Sequence, residues 1–170
     1  GGSLLYKNEG GDAFPSPRSW AMAAQLLEKA EISVQKRLVA ACVGPAAAEQ
    51  FFAFLRLYNR VRPERIVGKG QVIDFTKGAQ SEPSFAYAAT SAVGRWLTEN
   101  ERRWKPEWAD HIVTFLCSPG LDPEYAFLLL RDLNAKTKIP ERLKPNPRYR
   151  ALAAHLVAIH SALEEFADAA

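Results

Sequence analysis

Cysteine, methionine and histidine are all scarce in this chain, with two, one and three copies among 170 residues. Cys42 and Cys117 lie far apart, each inside an apolar stretch, and neither has a second cysteine at the short spacing of a zinc site or redox pair. Each is expected to behave as a small hydrophobe, a usage that fits a reducing cytosol. His155 and His160 are five apart, which turns them to different faces of a helix, and His111 is isolated. No metal site is therefore expected. No apolar run reaches the ~18 residues of a spanning helix, and the first residues lack a charged-then-apolar secretory pattern. The expectation is a cytoplasmic chain with no membrane partner. A Gly-x-Ser-x-Gly elbow is missing, and so is the Gly-x-x-x-x-Gly-Lys-Ser/Thr loop that cradles nucleotide phosphates. Gly68-Lys69-Gly70 comes nearest, but it lacks both the spacing and the hydroxyl that would hold magnesium. No catalytic constellation emerges, so no activity and no cofactor are expected of this chain alone. Strong charge of one sign is missing too: the net charge is +3, without the dominant basic stripe of most nucleic-acid binders.

What the chain does have is proline at helix starts. Prolines 17, 45, 83, 106, 123 and 147 each precede a stretch of helical apolar spacing. Proline suits the first helical position, where its missing N–H costs nothing. Helices are expected from about Pro17 to Lys29, Ser33 to Val43, Pro45 to Arg60 and Pro83 to Glu99, and then from Pro106, Pro123 and Pro147, the last reaching about Phe166. Their inward residues include Trp20, Ala24 and Leu27; Val34, Leu38, Ala41 and Cys42; and Phe51 to Tyr58. Further on they include Phe85, Ala89, Ala92 and Trp96, then Trp108, Ile112, Phe115 and Leu116. The last two helices turn in Tyr125, Leu128, Leu129 and Leu133, then Leu152, Leu156, Ile159 and Leu163. Pro63 to Val67 has room for one helical turn, and Gly68 to Pro83 reads as a long connection. No alternating strand of useful length competes. The fold class is all-α, a bundle of about seven helices, with two packed helical subdomains as one arrangement. Residues 1–13, which include Leu4, Leu5 and Tyr6, read as a tail or vector-derived remnant. Residues 14–62 form a first helical subdomain, 63–83 a connection and 84–170 a second subdomain.

Arg18 is the foremost candidate for a functional role. Ser16 is a good N-cap and Pro17 a good first residue, so Arg18 is held in the first turn of the first helix. Such a turn favours an anion. Alone, Ser-Pro-Arg marks only a helix start with a solvated arginine. The wider text Phe14-Pro15-Ser16-Pro17-Arg18-Ser19-Trp20 resembles the opening of the C-terminal lid of MoxR-like AAA+ ATPases. The resemblance continues through Gly44-Pro45-Ala46-Ala47-Ala48-Glu49-Gln50-Phe51-Phe52-Ala53-Phe54-Leu55, Pro83-Ser84-Phe85-Ala86-Tyr87-Ala88 and Tyr125-Ala126-Phe127-Leu128-Leu129-Leu130-Arg131-Asp132. Each motif is weak singly, but their order and spacing are shared over about two-thirds of the chain. The resemblance implies that 14–62 is an AAA+ lid-like subdomain and that Arg18 matches the arginine that senses the nucleotide's terminal phosphates. It also implies an ATP-binding core with magnesium outside this sequence, ring neighbours, and an unknown client or adaptor protein.

A second candidate is the run 136–150, where Lys136, Lys138, Arg142, Lys144, Arg148 and Arg150 face one acid, Glu141. Its prolines predict an irregular, exposed segment. It is a solvated linker or a basic partner surface. As a partner surface it would serve a stand-alone helical adaptor that binds an acidic protein, or nucleic acid with Tyr149 stacked on a base.

Overall fold

The computed structural model describes residues 13–168, and side chains as far as 159. The sequence readings for Leu4, Leu5 and Tyr6, and for the His160 and Leu163 side chains, lie outside the described residues. Among the described residues every regular element is helical. The elements are α1 (Pro17–Leu27), α2 (Ile32–Val43), α3 (Pro45–Tyr58), α4 (Pro63–Lys69), α5 (Pro83–Asn100), α6 (Trp108–Leu116), α7 (Pro123–Lys136), α8 (Ile139–Leu143) and α9 (Pro147–Asp168). Short 3-10 turns occupy Gly78–Ser81 and Glu101–Arg103. The seven longer helices are the expected ones; α4 is the short turn read at Pro63 to Val67, extended to Lys69, and α8 is additional. No described helix is long and apolar enough to cross a membrane. The chain forms two compact units, Gly1–Arg56 and Leu57–Ala170.

The smaller unit begins with a two-sided cap. The Ser19 N–H donates to Ser16 Oγ at 3.1 Å, and the Ser16 N–H donates to Ser19 Oγ at 2.8 Å. Two otherwise orphaned amides are thereby satisfied, with serine in the place usually taken by glutamate. At the other corner α2 meets α3 through the single residue Gly44, at φ +87°. A Cβ there would lie 3.0 Å from the Ala13 carbonyl oxygen, so both the backbone angle and the space select glycine. The core is thin. Ala23, Val39, Val43, Ala47 and Ala48 are buried, with Trp20, Leu27, Phe51 and Phe52 partly covering them. Trp20 and Phe51 rings stand 5.3 Å apart.

Two inward faces differ from the sequence reading. In α1 Ala23 is buried and Ala24 exposed; in α2 Val39 and Val43 are buried while Val34 and Ala41 are exposed. Both helices carry apolar residues nearly all round, so spacing alone leaves the register open by one position. Close helix approach selects the alanine and valine pair.

The larger unit holds the substantial core. Phe115, Ile66, Leu97, Ile112, Leu133, Ile139 and Leu143 are among its fully buried side chains. Gly94 lets α7 come close to α5, since a Cβ there would meet Leu129 Cδ1 at 2.8 Å. His111 Nδ1 lies 2.7 Å from the Val67 carbonyl oxygen and ties α6 to the end of α4. That end is Gly70, at φ +66°, whose missing Cβ makes room for the same imidazole.

The stretch 63–83, read as a connection between subdomains, lies within this larger unit. Ile66, Val67, Ile73 and Phe75 belong to its core. The Phe75 N–H donates to the Pro119 carbonyl at 2.8 Å, and its ring packs on Phe85 and Phe115 at 6.0 and 6.2 Å. Val72 stays exposed, and Ile73 and Phe75 are what anchor this long loop. Its turn is closed by Asp74, whose carboxylate accepts from the Thr76 N–H at 3.0 Å and pairs with Lys77 at 2.8 Å.

Candidate functional site

Arg18 sits in the first turn of α1 and is exposed. None of the ion pairs among the described residues includes it. Of the first-turn amides, Pro17 has none, Ser19 is bound to Ser16 Oγ, and Trp20 to the Ser16 carbonyl at 3.0 Å. The cap thus consumes most of the N–H donors that a helix start offers an anion. Recognition at this point falls to the guanidinium, whose fork of donors suits phosphate and carboxylate oxygens. Beside it runs a groove of about 310 Å³, bordered by Phe14, Ser19, Met22, Leu26 and Leu38. Met22 and Leu26 are 52% and 41% exposed. A fixed cation next to an uncovered apolar strip is an arrangement that can dock on a partner while one charge reaches an anion.

The basic run 136–150 is ordered rather than irregular. It comprises the end of α7, all of α8 and the start of α9. Ile139, Pro140 and Leu143 are buried and anchor α8, so Lys138, Arg142 and Lys144 are held outward. Lys136, Arg148 and Arg150 are exposed as well. Tyr149 is not a stacking platform: it is 8% exposed within the core cluster, and burial raises its phenol above the ordinary value. Its place follows from the helical spacing of α9, where Tyr149, Leu152 and Leu156 share the inner face.

Sequence reasoning missed the neighbours of this run. The Lys138 N–H donates to Glu101 Oε1 at 2.7 Å. The Arg142 guanidinium lies over the Trp104 ring, 5.3 Å from its centre. Trp104 in turn meets Trp108 edge to face at 6.1 Å, and Trp108 lies 4.9 Å from Trp96. The sequence signal was the charged exit of α5, Glu101-Arg102-Arg103, which showed nothing of its partner thirty-seven positions on.

Other candidates reduce to structure. A cavity of about 490 Å³ runs between α5 and α7 over Gly94 and Leu129. Four of its five charged residues are paired, Arg95 with Glu99 at 2.8 Å and Arg131 with Asp132 at 3.7 Å, which leaves the exposed Lys136 at its edge, and the Thr90 hydroxyl donates to the Ala86 carbonyl. His155 is exposed on α9. Cys42 is half-buried, whereas Cys117, expected inside, is exposed just past the end of α6. Among the described residues no group of three or more His, Cys, Asp or Glu is placed to hold a metal. Compared with protein families, curated proteins and solved structures, the chain has no significant match in any of the three.

Proposed function

We propose that this chain is the C-terminal helical region of a MoxR-like AAA+ ATPase and that Arg18 senses the nucleotide. The observation that carries the reading is Arg18 itself: exposed, without an ion pair among the described residues, and mounted on a doubly capped first turn beside the uncovered Met22 and Leu26. In this reading the apolar strip rests on an ATP-binding core. The guanidinium then meets the terminal phosphates of magnesium-ATP, where it stabilises charge on the transferring phosphoryl group and couples lid position to nucleotide state. The later helices contact ring neighbours and a client or adaptor, and the site of action is the cytoplasm.

The chain carries no phosphate loop of its own. By itself it should neither bind ATP tightly nor hydrolyse it, and tight binding with turnover by the isolated chain overturns the reading. In an ATPase that carries this chain behind its core, Arg18→Ala should cut turnover roughly a hundredfold, the usual loss for one preorganised charge-stabilising donor. Unchanged turnover removes the sensing role.

A further inference from the structure

We propose that the 3-10 turn Glu101–Arg103 and α8 together form a docking face for an acidic segment of a partner protein. The inference does not depend on the ATPase reading. Its basis is that the fold brings two basic runs together, one at 102–105 and one at 138–144, through the Glu101–Lys138 hydrogen bond and the Arg142–Trp104 stack. Arg102, Arg103, Lys105, Lys138, Arg142 and Lys144 are all exposed. None of them enters an ion pair among the described residues. Of the three acids in or beside these runs, Glu101 is spent on the Lys138 amide, which leaves Glu107 and Glu141 exposed against six cations.

The buried residues of α8 fix the backbone that carries Lys138, Arg142 and Lys144 before any ligand arrives. Preorganisation lowers the ordering cost of binding, and arginine forks pair carboxylates with two parallel bonds. Two features favour a protein segment over nucleic acid. A single-strand site needs uncovered aromatic faces for the bases; here Tyr149 is buried and Trp104 lies under Arg142. A nucleic-acid backbone also presents closely and regularly spaced negative charge, which Glu107 and Glu141 would repel. A peptide with separated carboxylates can step round both.

The test is fluorescence anisotropy of the full chain with a fluorescein-labelled Glu/Asp-rich peptide and, separately, with single-stranded RNA of matched charge. The expected result is peptide binding that weakens as salt rises. It should fall at least about tenfold in Arg102→Glu/Arg103→Glu and again in Lys138→Glu/Lys144→Glu, since both pairs of reversals put like charge against the peptide. Arg65→Glu, exposed on α4, should leave it unchanged. Circular dichroism of each variant separates lost binding from lost fold, and the two double variants alter only exposed side chains. The proposal is overturned if the peptide does not bind, if both double variants bind it as well as the parent, or if RNA binds more tightly at the same salt.

Discussion

The two compact units are both built from proline-started helices, yet they bury very different amounts. The larger unit encloses aromatic and branched side chains, including Phe115, Leu97 and Ile112 at 1% exposure or less. Among its described residues the smaller unit buries nothing larger than valine and leaves Phe51 and Phe52 half-covered. Four of the seven large apolar residues exposed in the described chain, Met22, Leu26, Ile32 and Val34, also belong to the smaller unit. Helix propensity and capping are sufficient to shape a helix but not to hide its apolar side. A unit with so thin a core is one whose stability gains most from a partner, since anything that binds the folded form alone stabilises it.

The largest expected effect is on the thick core. Phe115→Ala should destabilise the larger unit by about 3–5 kcal/mol, seen as faster amide exchange across α5, α6 and α7. Val43→Ala in the smaller unit should cost only about 2 kcal/mol, two methylene equivalents and a small cavity. If the two substitutions cost the same, the contrast between thick and thin cores is wrong. Gly70→Ala comes next. It puts a Cβ 2.8 Å from the His111 ring at φ +66°, and a loss of about 1–3 kcal/mol in urea unfolding is expected from backbone strain.

Ser16→Ala sharpens the picture of the smaller unit. It removes the hydroxyl that accepts from the Ser19 N–H, while the reciprocal bond from the Ser16 N–H to Ser19 Oγ can persist. It should cost about 1 kcal/mol, with fraying of α1 detectable by exchange at Ser19 and Trp20. A smaller effect belongs to Asp74. Its carboxyl is held down at about 2, first by Lys77 and then by the Thr76 hydroxyl and amide. Because the folded value lies below the ordinary 3.8, the turn's contribution is complete above that pH and is lost as pH falls through about 2. Carboxyl chemical shifts should show that midpoint, and Lys77→Ala should move it up towards the ordinary value.

The helical class was legible because Ser16-Pro17, Asp122-Pro123 and Asn146-Pro147 punctuate the chain with physical start signals. The inward faces of α5, α6 and α7 were also legible: Ala89 and Ala92, Ile112 and Phe115, and Leu129 and Leu133 are buried as their helical spacing predicted. In α1 and α2 the apolar residues crowd every side, so the buried face depended on which helix came near. The short α8 was hidden in a lysine- and proline-rich run, and only tertiary burial of Ile139 and Leu143 makes it a helix. The place of Arg18 was legible from Ser16-Pro17, which sets it in the first turn of α1. By contrast, the meeting of Arg142 with Trp104 lies outside any local pattern.

That stack has an optical consequence. Trp96, Trp108 and Trp104 follow one another at 4.9 and 6.1 Å, and a guanidinium lies over the outermost ring. Light absorbed by Trp108, the buried middle indole, can migrate to the partly exposed Trp104 beneath that guanidinium. A ligand that lifts Arg142 away changes the polarity around that last emitter, so the wavelength of the chain's own glow becomes a gauge of occupancy with no dye attached.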